Sequence, residues 1–265
     1  MSKLLKTCMA CVLVFSFVRF DSSIAADPYN DSDAAHASEL SSHTVKVSWD
    51  VELKDVLGNE KTVDDAMSGS GAVVAVYENK SLVLTAEHVC DAELEPGDTV
   101  MDGRYVVENV SMHIIMIDST KHSKVKILRT DTSSDLCIIE VMGIVGTPAS
   151  LAPFKPPINA KVMTAGAPLG EWDTVSANIV EGRYSGISKE PIVIDWFTSF
   201  DNFAQYSIPI IGGMSGSAVY YRGRIVGILT VGVPTYSHLA WGPFLPEVTE
   251  FVKAALEDWR EVGID

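Results

Sequence analysis

From residue 44 onward the apolar positions fall in short runs broken by Gly, Pro, Asn and Asp. The clearest runs lie at 45–53, 71–77, 81–86, 104–110, 112–117, 124–129, 136–142, 160–165, 174–181, 191–197, 216–221, 225–231 and 237–241. They are rich in Val, Ile and Tyr, which suit a pleated, half-buried surface. About a dozen short strands with frequent turns predict an all-β barrel or sandwich. One stretch has a different period. Between Pro246 and Glu261, the residues Val248, Phe251, Val252, Ala255, Leu256 and Trp259 repeat at helical spacing, and Gly263 follows as a stop. This predicts a C-terminal helix with one buried face. Gly143, Gly146, Pro148, Pro153, Pro156 and Pro157 cluster as a linker. The expected division is therefore a first β unit over 44–148 and a second over 149–265, which includes the helix.

The N-terminus reads differently. Lys3 and Lys6 precede an apolar run from Thr7 to Val18, which Arg19 and Asp21 end. That run is shorter than the ~20 residues a membrane-spanning helix needs. A basic start before a short apolar run is the layout of an export signal. Residues 1–25 are expected to be the signal, with cleavage after Ser23-Ile24-Ala25. Residues 26–43 are polar and are expected to form a flexible leader or short pro-segment. Export implies a secreted or periplasmic protein, with no stable membrane partner unless the signal stays uncleaved.

Composition narrows the function. Apolar residues make up 47% and charged residues 21% of the 265, an ordinary globular balance that excludes disorder. A net charge of -15 argues against nucleic acid as a partner, because like charges repel. Of four cysteines, Cys8 and Cys11 would leave with the signal, and no lipobox precedes either. Cys90 and Cys137 remain. An exported pair can oxidise, but sequence alone sets no distance between them, so their pairing stays open. The histidines and cysteines lack metal-ligand spacing, and no phosphate-cradling glycine loop opens a helix. Neither a metal nor a cofactor is expected.

Three stretches carry candidate chemistry. In Gly212-Gly213-Met214-Ser215-Gly216-Ser217, glycines place a serine on a tight turn, where the N–H groups of Gly213 and Ser215 can converge as an oxyanion hole. In Thr85-Ala86-Glu87-His88, a strongly apolar strand ends on a histidine. Among the six histidines, His88 is the only one so placed. In Ser134-Asp135-Leu136, an acid stands at the entry of an apolar strand, and a buried carboxylate needs a partner. Asp131 is its nearest rival. Taken alone, each stretch also reads as ordinary turn or core structure. Together they supply a nucleophile, a base and an orienting acid.

The set resembles the trypsin-like serine proteases. Thr85-Ala86-Glu87-His88 looks like their Thr-Ala-x-His box, Asp135-Leu136 like their Asp-apolar box, and Gly213-Met214-Ser215-Gly216 like their Gly-x-Ser-Gly box. Gly69-Ser70-Gly71-Ala72-Val73 and Gly166-Ala167-Pro168-Leu169-Gly170 with Thr174-Val175 are similar to segments of HtrA-type and related bacterial or phage members. The likeness spans roughly 69–256. It implies two six-stranded antiparallel β-barrels with the site between them, His88 and Asp135 on the first and Ser215 on the second. It implies a serine endopeptidase acting on polypeptides through a His88–Asp135–Ser215 triad, with Gly213 and Ser215 as oxyanion donors.

The same resemblance places the first specificity pocket against 208–210, 230–232 and 239–241, so that Pro209, Thr230, Val231, Gly232 and Ala240 would bind substrate. Its base near Pro209 is not acidic, which predicts small or medium apolar side chains rather than Lys or Arg. Thr230-Val231-Gly232 would pair with the substrate backbone. There are departures. Ser217-Ala218 stands where the family usually has Gly-Pro. Met214 stands where digestive members have an Asp that pairs with a freed N-terminus, so activation by N-terminal insertion is not expected. Too few residues follow 256 for a PDZ domain. The alternative reading is a catalytically silent binding or regulatory module. An α/β-hydrolase elbow is excluded, because Ser217 replaces its second Gly and no βα alternation surrounds it.

Overall fold

The computed structural model describes residues 31–171, 177–193, 199–233 and 236–262. The expected export signal, the start of the 174–181 strand, most of the 191–197 strand and Gly263 lie outside them. Two antiparallel sheets carry the architecture. The first holds β1 (Thr44–Asp55), β2 (Glu60–Tyr77), β3 (Lys80–Thr85), β4 (Thr99–Val100), β5 (Tyr105–Ile115), β6 (Lys121–His122), β7 (Val125–Asp131) and β8 (Leu136–Met142). Their order is β4-β5-β1-β2-β3-β8-β7, with β6 on β5. The second half contributes β9 (Lys161–Gly166), β10 (Asn178–Ile187), β11 (Ile192–Val193), β12 (Ser199–Phe200), β13 (Ala204–Tyr206), β14 (Ala218–Tyr221), β15 (Arg224–Ile228), β16 (Val231–Val233) and β17 (Tyr236–Gly242). Seven of them run β15-β14-β9-β10-β13-β17-β16, while β11 and β12 pair separately.

Among the described residues the two main sheets hold eight and seven strands, with β11 and β12 paired apart from them. The expected strands 104–110 and 112–117 are one strand, β5, because Ser111 stays in register against Asp50. The expected run 225–231 divides into β15 and β16. The polar segment 60–68 continues β2 outward, since hydrogen bonding to β1 needs no apolar side chains. Lys46 bonds Asp65 at 2.8 Å across this hairpin, with the lysine side chain 7% exposed.

Alternation on β3 explains how the halves join. Val83 faces Val45, Val47, Val73, Ile139 and Val141 inside the first sheet. Leu82 and Leu84 face the other way, with Leu136 and Ile138, into a core shared with Ala165, Ala218, Tyr220, Ile225 and Ile228 of the second half. Helix α1 (Asp31–His43), the four-residue α2 (Glu87–Cys90) and α3 (Leu245–Val262) complete the fold. The helix predicted over 246–261 is α3. It lays Val248, Phe251, Val252, Ala255 and Trp259 into the shared core. Trp259 Nε1 donates to Glu140 at 2.5 Å, which ties α3 to β8.

Residues 31–43, expected within a flexible leader, form α1 instead. Leu40 is 1% exposed and sits in the shared core. Thr44 Oγ1 donates to Leu40 O at 2.8 Å, and the Thr147 N–H donates to Ser42 O at 2.9 Å. The segment is too polar to announce itself, because one leucine docks it.

Candidate active site

His88 is placed by a strand that cannot shift. β3 lies between β2 and β8, and its last residue, Thr85, is fully buried. The chain then turns through α2, which carries His88 with its side chain 44% exposed. Asp135 enters β8 from a turn with φ of 50°, a left-handed conformation that Asp adopts more readily than most residues. It is 4% exposed. Its carboxylate faces His88 twice. The His88 backbone N–H donates to Oδ1 at 3.0 Å, and ring Nδ1 lies 2.9 Å from Oδ2 and 3.0 Å from Oδ1. Asp131, the rival acid, instead accepts from the Ser133 N–H and hydroxyl. Burial pulls the His88 imidazole down. The Asp135 hydrogen bond and charge, with Glu87 and Glu93, outweigh it and hold the ring above its usual value.

Cys90 and Cys137 form a disulfide, with Cα atoms 6.6 Å apart. Each stands two residues after a member of the His88–Asp135 pair. Both are buried, at 5% and 0% exposure. Closing a loop of 47 residues stabilises the fold by about 4 kcal/mol in the chain-entropy account. The bridge also fixes α2 against β8, and so His88 against Asp135.

Ser215 lies on the loop between β13 and β14. Gly213 has φ of 88° and lies so close to Ala167 O that a Cβ would come within 2.3 Å of it. Gly216, with φ of 84°, leaves no room either: a Cβ would sit 2.1 Å from Thr85 Oγ1 and 3.0 Å from Ala86 N. That closeness brings Ser215 beside the turn that carries His88. Gly69 shows the same approach, since a Cβ there would lie 2.6 Å from Val89 and 3.0 Å from Ser215 O. Among the described residues every hydrogen bond of Ser215 runs through its backbone, and none yet joins its hydroxyl to His88. Such bonds often tighten only when substrate is seated. The Gly213 and Ser215 N–H groups also have no acceptor among the described residues.

Of the expected substrate-binding residues, Val231 and Gly232 lie on β16 and Ala240 on β17, while Pro209 and Thr230 lie on the segments before β14 and β16. β16 ends its sheet, so among the described residues one edge of Val231 and Gly232 has no strand partner. On the other edge Val231 pairs with Trp241 and Gly232 with Ala240. Thr230 donates its N–H to Trp241 O at 3.0 Å. The side chain brought against Gly232 is Ile210, next to Pro209: a Cβ on Gly232 would meet Ile210 Cγ2 at 2.2 Å.

The trypsin-like peptidase domain family matches residues 69–228. No curated protein matches the chain. Among solved structures, the active form of the Rv3671c protease from M. tuberculosis aligns with a TM-score of 0.59 at 15% identity, covering 91% of this chain and 93% of that one. An inactive mutant form of Rv3671c aligns at 0.55 and 13%, covering 91% and 97%. The serine endoprotease from Yersinia pestis aligns at 0.58 and 17%, covering 85% and 66%. The structural likenesses speak to fold and the family match to kind, and on that match, which takes in more than half of the sequence, the chain belongs to the trypsin-like peptidase family, serine proteases that act on polypeptides.

Proposed function

We propose that this chain is an exported endopeptidase in which Ser215, His88 and Asp135 act as nucleophile, base and orienting acid. The observation that carries the reading is the Asp135 carboxylate on His88 Nδ1 at 2.9 Å. It leaves Nε2 as the nitrogen that takes the Ser215 proton. Ser215 Oγ then bonds the peptide carbonyl carbon, and the oxyanion rests on the N–H groups of Gly213 and Ser215. His88 returns the proton to the leaving amine, water hydrolyses the ester, and Asp135 stabilises the imidazolium throughout. The test is the intact mass of exported protein after a fluorophosphonate probe. A single adduct is expected on Ser215, on a chain that starts at Ala26. A folded protein with no adduct would refute the assignment and favour a silent binding module.

The export reading is supported by the layout of residues 1–25 and by the Cys90–Cys137 disulfide, which belongs to an oxidising compartment. The acidic charge supports a protein that avoids nucleic acid and anionic surfaces. β16 receives the substrate backbone as an added strand. Ile210, lying on Gly232, shortens the first specificity pocket, so small apolar side chains are preferred before the scissile bond. Profiling with a peptide library is expected to show Ala or Val there, with Ile210→Gly admitting Leu and Phe. A preference for Lys or Arg would refute this pocket.

A further inference from the structure

The nucleophile loop is held from behind by one residue of the opposite sheet, Ser70 on β2. Four successive peptide planes set where the Gly213 and Ser215 N–H groups point. In a trans peptide the N–H and C=O point opposite ways, so anchoring a carbonyl aims the next residue's N–H. Each of the four carbonyls is anchored. Gly212 O accepts from the Leu169 N–H at 2.6 Å, and Met214 O from the Ser217 N–H at 3.0 Å. Ser70 supplies both remaining anchors: its hydroxyl donates to Gly213 O at 2.7 Å, and its backbone N–H donates to Ser215 O at 2.7 Å.

The hydroxyl itself has no freedom. It has one proton, spent on Gly213 O, and its oxygen accepts the Ala167 N–H at 2.9 Å. Ser70 is fully buried, and its own carbonyl accepts from Thr85 Oγ1 at 2.7 Å, at the strand end that leads to His88. Bare backbone makes the room: a Cβ on Gly166 would lie 2.9 Å from the Ser70 hydroxyl. The turn Pro168–Gly170, which provides the Leu169 anchor, meets the same strand, because a Cβ on Gly170 would lie 2.8 Å from Ser68 Oγ.

We infer that Ser70 is a positioning residue that keeps the oxyanion hole formed before substrate arrives, by holding the Gly213 carbonyl through its hydroxyl. The inference rests on the reading of Ser215 as nucleophile. Gly213 has no side chain to steady its left-handed backbone, so the carbonyl anchor is what fixes it. Without the hydroxyl, Gly213 O and the Ala167 N–H both lose their partner: the peptide plane between the two donor-bearing ones is freed, and so is the segment whose Leu169 N–H holds Gly212 O and thereby aims the Gly213 N–H.

The test compares wild type with Ser70→Ala on a short peptide substrate and on a peptide aldehyde, which forms an oxyanion on the nucleophile. Losing one oxyanion donor outright costs ~10²–10³ in kcat, so losing its support is expected to cost about 10- to 100-fold in kcat with KM changed by less than about 3-fold. Aldehyde affinity should fall by the same factor as kcat/KM, a selective loss that a purely structural role would not produce. A kcat within about 3-fold of wild type, or a lower kcat with aldehyde affinity unchanged, would overturn the inference. If Ser70→Ala does not fold, Ser70→Cys, close in size and a weaker donor, carries the same comparison with a smaller expected loss. A wild-type protein that no fluorophosphonate labels would instead overturn the assignment of Ser215, and this inference with it.

Discussion

A Ser215→Ala chain is expected to lose peptide hydrolysis by on the order of 10⁶-fold in kcat, the scale of losing a triad nucleophile. It is also expected to keep its fold. The loop is held by the backbone of Ser215 and its neighbours, through the Ser70, Leu229 and Ser217 bonds, none of which uses the Ser215 hydroxyl. Removing that hydroxyl leaves every one of them in place. The melting temperature should therefore stay near the wild-type value while turnover vanishes. Hydrolysis of a fluorogenic peptide, followed together with thermal unfolding, separates the two. Turnover at the wild-type rate would mean that another group performs the attack.

Asp135→Asn is expected to be the second most damaging change, at about 10⁴-fold in kcat. Asn can still accept the His88 backbone N–H through its oxygen, so the turn survives. Its amide, however, donates toward Nδ1, which puts the ring proton on Nε2 and blocks proton transfer from Ser215. The pH profile carries an independent sign. Burial lowers the His88 pKa, while the Asp135 bond and charge, then Glu87 and Glu93, raise it to a net position above its usual ~6.5. The neutral ring is the base, so wild-type kcat/KM should rise with pH through a value above that point. With Asp135 neutralised, burial works against Glu87 and Glu93 alone, and the acid limb should move to lower pH. A pH–rate profile of both proteins reads this directly. An acid limb that did not move would separate Asp135 from His88 in function.

These groups were legible because each sits at a local signature. His88 follows a strongly apolar strand, Asp135 opens another, and Ser215 lies among glycines whose backbone the structure needs bare. Strand periodicity carried the fold class, and α3 carried the one strong helical stripe. What stayed hidden depends on meetings between distant segments. The Cys90–Cys137 bridge depends on the pairing of β3 with β8, which no spacing states. The role of Ser70 needs β2, the Ala167 segment and the nucleophile loop in one place. α2 has only four residues and cannot show a period. Residues 60–68 are mostly polar, with only Val63, Ala66 and Met67 apolar, so their continuation of β2 is plain only in the pairing with β1. Ile210 rather than Pro209 faces Gly232 because of how the loop before Gly212 settles.

The shared core has a consequence for any attempt to divide the molecule. The linker over 143–159 looks like a seam, yet Leu82, Leu84, Leu136 and Ile138 on one side and Ala218, Tyr220, Ile225 and Ile228 on the other belong to one core, together with residues of the helices α1 and α3. Cut there, each fragment would present a wide greasy face to water and clump. The seam in the sequence is therefore no seam in the folded object, and neither half is a transplantable module.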